Sequence, residues 1–304
     1  MTFFIPRLSI IGLSLLLSSS PAYSTPIEGQ LNKIEPAVGN SQISTDQLQE
    51  YSKSSSLDLL DYNVYAGGLH ALRASLELGY DEKSYAVSLN AKTNGFIGKI
   101  FPWSASYKSS GLETKTGDLI PIGYEAQSKW KKKLKTLAFT FNDDGSFKEK
   151  KTTRKGKTQT QDNFKQELTL DAVDMLTGTI KMLQTVENKR DCTASIPVFD
   201  GKRRFNMNFK NVGVELIKKS KYSSFSGKAL KCIIEVEPIA GFKKKDMKRG
   251  WIAVQEHSRK RKKLPTIWLG ELKNGHIAPV RMEINSDYGA VIAHLTQATE
   301  TKVE

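Results

Sequence analysis

The chain has 304 residues, 38% of them hydrophobic and 9% aromatic, and its 46 lysines and arginines against 32 aspartates and glutamates give a formal net charge of +14. Two cysteines are too few for a disulfide-dense miniprotein, the apolar content is too high for a wholly disordered chain, and no repeated apolar spans mark a polytopic membrane protein. What is left is a globular protein of one large or two modest domains.

The N-terminus reads as a targeting segment. Arg7 gives a positive start, Leu8 to Leu17 is an apolar run, and Ala22-Tyr23-Ser24 places small residues where a signal peptidase cuts, so 1–24 is expected to be a signal peptide cleaved after Ser24. Ten apolar residues rise only about 15 Å as a helix, half of the ~30 Å of a bilayer core, which argues against a membrane anchor. The expected compartment is the periplasm. In that oxidising setting an isolated pair, Cys192 and Cys232, reads as a disulfide. Closing that loop is worth roughly 4 kcal/mol on the chain-entropy argument, and the wide spacing does not fit a redox Cys-x-x-Cys.

Residues 25–57 are rich in Ser, Gln, Asn and Gly, with one short helical stretch near Asp46 to Tyr51, and are read as a flexible linker before a single domain over 58–304. From Tyr62 the pattern turns to period two, the mark of half-buried strands. Leu72, Ala74, Leu76 and Leu78 alternate with Arg73, Ser75 and Glu77, and after the turn Gly79 to Lys83, Tyr85, Val87, Leu89 and Ala91 do the same. Trp103 to Tyr107, Tyr124 to Trp130 and Leu137 to Phe141 follow, the last running into the hairpin signal Asn142-Asp143-Asp144-Gly145. The stretch Lys148 to Lys165 has no apolar period and is read as a solvated loop. Leu170, Val173, Leu176, Ile180 and Leu183 then recur at helical spacing, with Asp171 and Asp174 where negative charge suits a helix start. The spacing predicts one amphipathic helix over about 171–186. Further strands are expected at Ile196 to Val198, Phe205 to Phe209, Leu230 to Glu237, Trp251 to Glu256, Thr266 to Glu271, Pro279 to Asn285 and Gly289 to Leu295. The fold class is therefore mainly β: a curved antiparallel sheet or open β-barrel with one amphipathic helix.

Motifs for chemistry are sparse. The four histidines, His70, His257, His276 and His294, have no metal-binding spacing, and neither a Gly-x-Ser-x-Gly elbow nor a Gly-x-Gly-x-x-Gly loop occurs. Gly156-Lys157-Thr158 lacks the first glycine of a phosphate-binding loop, and Asp143 with Asp144 is explained by the turn. No cofactor, metal or catalytic residue is assigned. Charge is more informative: Lys243, Lys244, Lys245, Lys248, Arg249, Arg259, Lys260, Arg261, Lys262 and Lys263 face only Asp246 and Glu256, a net of +8 in 21 residues. A mature chain from Thr25 loses only Arg7 and carries +13. These lysines and arginines are read as sitting in two hairpin loops, Phe242 to Gly250 and His257 to Leu264. For an exported protein the available polyanion is an anionic membrane surface or wall polymer, and nucleic acid is not an expected partner.

Taken together, the run Tyr62-Asn-Val-Tyr-Ala-Gly-Gly-Leu69, the strands around Trp103 and Tyr124 to Trp130, the helix start Asp171-Ala-Val-Asp174, the segment Pro197-Val-Phe-Asp-Gly-Lys-Arg-Arg204 after Cys192, and Cys232 followed by Pro238 and Ala240-Gly-Phe242 resemble the bacterial exported family DUF3108. The resemblance runs from Tyr62 to the C-terminus. It implies a periplasmic, mainly antiparallel β protein of curved or open-barrel shape, broadly similar to carriers that move lipoproteins between membranes, with no catalytic residues to transfer. The expectation is a non-enzymatic cell-envelope protein that holds a lipid, an acyl chain or an apolar partner segment in its concave face, with Trp103, Tyr107, Tyr124 and Trp130 as lining. The alternatives are an envelope scaffold binding polyanions or proteins through its basic loops, and a periplasmic hydrolase with a dispersed site.

Overall fold

A computed structural model describes residues 56–302 apart from 82, 249, 287 and 288. The expected signal peptide, the short helix near residue 46 and the linker up to residue 55 lie outside the described residues. Fourteen strands form one antiparallel sheet. In chain order they are β1 (Ser56–Ala66), β2 (Leu69–Tyr80), β3 (Ser84–Thr93), β4 (Trp103–Glu113), β5 (Leu119–Trp130), β6 (Lys133–Phe141), β7 (Phe147–Arg154), β8 (Lys157–Gln161), β9 (Ala194–Phe199), β10 (Arg204–Ile217), β11 (Gly227–Ala240), β12 (Thr266–Glu271), β13 (Ile277–Ser286) and β14 (Gly289–Lys302). Among the described residues four helices accompany them: α1 (Gly95–Ile100), α2 (Gln166–Thr169), α3 (Met175–Lys189) and α4 (Gly250–Lys260). None of them is long and apolar enough to cross a membrane.

The spatial order is β8-β7-β6-β5-β4-β3-β2-β1-β14-β13-β12-β11-β10-β9, two meanders joined where β1 pairs with β14. The strands form where the sequence alternates. In β1 the buried residues Leu60, Tyr62 and Val64 interleave with Asp61 and Asn63, and in β2 Leu72, Leu76 and Leu78 do so with Arg73 and Glu77. The sheet curls so far that its edges approach. Lys150 on β7 donates to the carbonyl of Gly201 after β9 at 2.8 Å, and Phe199 packs against Phe139, Phe147 and Phe164.

One helix fills the hollow. Helix α3 buries Leu176, Ile180, Met182, Leu183 and Val186 in the same cluster as Leu60, Val87, Tyr124, Phe139 and Ile234 of the sheet. Asp174 caps its start, accepting from the backbone N–H groups of Leu176 and Thr177 at 2.9 and 3.0 Å. Arg190, at positive φ, closes its end. The helix thus starts four residues later than expected: Asp171 takes a left-handed turn, and Val173 forms a parallel bridge to Val198. Gly178 faces β9 and β10, where an added Cβ would stand 2.9 Å from Met207 Cε and 3.3 Å from Val198 Cγ2. Beyond the helix, Cys192 is disulfide-bonded to Cys232 on β11, as the isolated pair suggested.

Three expectations are corrected. Residues 148–161 are not a loop, and only 162–165 lack regular structure: β7 and β8 form a hairpin through Lys155 and Gly156, both at positive φ. Both faces of β8 are exposed, so no apolar period betrayed it. Residues 251–256 are helical, not a strand. Ile252, Gln255 and Ser258 are buried at helical spacing, and the Gln255 side chain accepts from the backbone N–H of Val236 at 2.6 Å and donates to its carbonyl at 3.0 Å, taking the place of a neighbouring strand. Consequently Arg259 and Lys260 end a helix, with only Arg261 to Lys263 in the following turn. Finally β1 starts at Ser56, inside the expected linker.

Two outcomes follow. Unreduced protein should take up no thiol-alkylating reagent, and reduction should lower stability by about 4 kcal/mol in denaturant melts; labelling of either cysteine would contradict the crosslink. Gly178→Val should destabilise by about 2 kcal/mol or more, because the neighbours of Gly178 leave no room for a branched side chain, whereas a neutral effect would mean that α3 sits loosely in the sheet.

Candidate functional site

The concave face is a packed core and contains a fully buried polar knot. Ser109 on β4 donates to Asp174 Oδ2 at 3.1 Å and is bonded to the Thr177 hydroxyl at 3.0 Å, and the Tyr85 hydroxyl from β3 meets Thr177 at 2.7 Å. Burial pushes the Asp174 carboxyl above its ordinary range, against the lowering effect of the donors from Thr177, Ser109 and Leu176. Burial, reinforced by Asp174, likewise raises the Tyr85 hydroxyl. Every member of the knot is bonded to another, and its geometry explains it as the fastening of the helix start to β3 and β4. At the other end of α3, Glu187 accepts from the backbone N–H of Ile277 at 3.1 Å and Arg190 pairs with Glu271 at 2.7 Å.

The four aromatics expected to line a ligand cavity do not converge on one. Tyr124 is fully buried and stacks on Phe139 in the main core; Tyr107, whose hydroxyl burial pushes up to about 12, is half-buried beside it. Trp103 belongs to a smaller cluster with Val64, Leu72, Ala91 and Ala105 at one end of the sheet. Trp130, its cross-strand partner, is 37% exposed at the strand end, against Phe101. An apolar ligand in the concave face would have to displace α3, which is held at its start by the Asp174 knot and just past its end by the Cys192–Cys232 bond.

Open space lies outside instead. On the outer face across β1 to β5 a trough of about 540 Å³ is lined by Arg73, Lys92, Lys129, Ser75, Asn90 and Gln127, with Asp61 as its acid. A second hollow of about 370 Å³ lies under the loop after β10, where Tyr65, Tyr222 and His294 form an aromatic cluster. Burial and the nearby Arg281 lower the His294 pKa. Sequence reading missed both, because outward residues on five strands share a surface only once the register is known. His276 bonds the buried Asp58 through Nδ1 at 2.7 Å, and His70 sits within reach of the Leu72 carbonyl and Asn94, so these two rings serve local structure.

The eight predicted polyanion contacts, Lys243, Lys244, Lys245, Arg259, Lys260, Arg261, Lys262 and Lys263, are all exposed and all lie in the single connection between β11 and β12. Arg259 is committed to Glu235 and Glu256, and Asp246 binds Lys202 of the β9–β10 turn at 2.9 Å, drawing that turn against the same connection. Lys262 at positive φ turns the chain after α4, so Arg261 to Lys263 leave the helix as an exposed cationic corner.

Comparison with known proteins adds the family and no activity. A family model described as "Protein of unknown function (DUF3108)" matches residues 61–296. Among solved structures the chain is similar to a beta-barrel-like protein of domain of unknown function DUF1849 from Brucella abortus, with 9% identity and a TM-score of 0.43 over 82% of this chain and 98% of that one. No curated protein matches the sequence.

The Asp174 knot gives a signed pH effect. With its folded pKa raised, this carboxyl contributes stability that is full below the unfolded value of about 4 and is lost as pH rises through the folded value. Asp174→Asn keeps an accepting oxygen but cannot ionise, so its stability relative to the wild type should increase as pH is raised from about 4; a difference that does not change with pH would show that Asp174 does not titrate in that window. Asp174→Ala, which strips the cap and removes the acceptor shared by the Ser109 and Thr177 hydroxyls, should cost about 2–3 kcal/mol.

Proposed function

The chain belongs to the DUF3108 family, and we propose that this member is a non-enzymatic protein of the cell envelope, exported to the periplasm, that binds an anionic surface through its basic connections. The observation that carries the reading is the β11–β12 connection, where ten basic residues meet two acids and the eight predicted contacts all reach solvent. Each such side chain near an anionic lipid surface contributes about 1 kcal/mol, enough in sum for reversible attachment. The signal-peptide pattern of residues 1–24 supports export. The carrier reading, with a lipid in the concave face, is the weaker one because α3 already occupies that face with Leu176, Ile180 and Leu183. The hydrolase reading draws less support still, because the buried acids Asp174 and Asp200 are both tied into backbone caps and turns.

The test is co-sedimentation with vesicles of phosphatidylcholine and phosphatidylglycerol. Binding should be steeply salt-dependent, absent with phosphatidylcholine alone, and reduced at least tenfold by replacing Lys260, Arg261, Lys262 and Lys263 with Gln. Salt-insensitive binding, or binding unchanged in the quadruple variant, would remove the role of these residues. Fractionation that leaves the full chain in the cytoplasm would remove export.

A further inference from the structure

The strand order gives all the turns a side. Because every neighbouring pair is antiparallel and both meanders run in sequence, each odd-numbered strand ends, and each even-numbered strand begins, at the same end of the sheet. Seven connections meet there: β1–β2, β3–β4, β5–β6, β7–β8, β9–β10, β11–β12 and β13–β14. Their residues sum to a net charge of +12, whereas the five short connections at the opposite end sum to +1 and the long β8–β9 crossover, which leaves and returns at that opposite end, to −2. The strongest cationic run beyond the β11–β12 connection is Lys131-Lys132-Lys133, flanking Trp130 at the β5–β6 turn.

Six exposed apolar side chains stand at the same end, among them Phe96, the most exposed large hydrophobic of the described residues. Leu69, Phe96, Ile100, Trp130, Leu134 and Met247 are all exposed, Phe96 by 72%. Helix α1, in the β3–β4 connection, buries none of its residues, and Phe96 and Ile100 stand one turn apart on it beside Lys99. The β5–β6 turn is held against that connection, since Lys131 donates its backbone N–H to the Pro102 carbonyl at 3.0 Å and Trp130 faces Phe101. The outer trough runs up to this corner, with Lys92 and Lys129 one residue from the ends of their strands. A tryptophan, a phenylalanine and aliphatic tips ringed by lysines have the chemistry of a bilayer interface: the rings enter the headgroup layer while the ammonium groups stay at the phosphates. A soluble polyanion would use the charge and leave the apolar tips in water.

We propose that this end of the sheet is a docking face for an anionic lipid bilayer, with Phe96, Ile100 and Trp130 as the inserting residues and Lys99, Lys131, Lys132 and Lys133 as their phosphate contacts. This rests on the anionic-surface reading above and goes further, since it fixes the partner as a bilayer and the protein's orientation as strand axes pointing toward it.

The experiment uses the full mature chain and the same phosphatidylcholine–phosphatidylglycerol vesicles, prepared with and without brominated acyl chains. Brominated lipid should quench tryptophan fluorescence, and Trp130→Phe should remove most of that quenching. Phe96→Ser with Ile100→Ser should weaken vesicle binding about tenfold or more, with an unchanged melting temperature because α1 buries nothing. Salt-dependent binding with no quenching, and with no effect of the α1 pair, would overturn the bilayer face while leaving the charge-only reading intact. No binding to these vesicles at all would overturn both.

Discussion

A single curled sheet of fourteen strands has an inner face and no second sheet to cover it, so its stability turns on what occupies the hollow. Here it is fifteen residues of helix. Helix α3 brings Leu176, Ile180, Met182, Leu183 and Val186 to strands from both meanders, and Gly178 lets it approach the side chains of β9 and β10 closely. Its fixings are of three physical kinds. A buried carboxylate knot holds the start, a salt bridge and a side-chain-to-backbone bond hold the end, and a disulfide fastens the residue just past it to β11. The segment that leads into it forms a bridge to β9, so the helix also closes the gap between the sheet edges.

That occupancy leaves the rims and the outer face as the surfaces the sheet presents. The rims differ sharply. Charge at one is concentrated in the β11–β12 connection and the Lys131 to Lys133 turn, and the ion pair of Lys202 with Asp246 pulls the β9–β10 turn into the same region, where Arg203, paired with Asp200 inside that turn, stands over the Phe242 ring. Positively charged residues at the other rim are diluted by Asp81, Asp118, Asp143 and Asp144. In this fold the direction of charge is therefore a property of strand parity.

The legible part of the fold was the part with one apolar face. Leu72 to Leu78, Tyr85 to Ala91 and Leu137 to Phe141 announced their strands because an apolar residue stands at every second position, most of them buried. The β7–β8 hairpin announced nothing, since Lys and Thr alternate with Lys and Thr, a composition that suits an exposed edge and leaves no period. Residues 251–256 misled for another reason: Trp251-Ile252-Ala253-Val254 is a short apolar run, and only the partner of Gln255 decides between helix and strand. The misreading matters more than its length suggests. One extra strand there would reverse β12, β13 and β14 and send the β13–β14 turn to the opposite rim, so the convergence of the cationic connections could not have been read from the residues alone. The lysines of 243–263 were visible as composition; the meeting of Trp130 with α1 depends on register and on the Lys131 to Pro102 bond.

The pairing of β1 with β14 joins Ser56 to Lys302, the first and last described strands, across nearly the whole chain. All other strand pairs are neighbours in sequence, so each meander can zip locally while this seam has to wait until residue 302 has left the ribosome, and the translocation pore if the chain is exported. Until then β1 carries an unpaired edge beside Leu60, Tyr62 and Val64. The closing of one seam, between the two described strands furthest apart in the chain, thus marks the completion of the sheet.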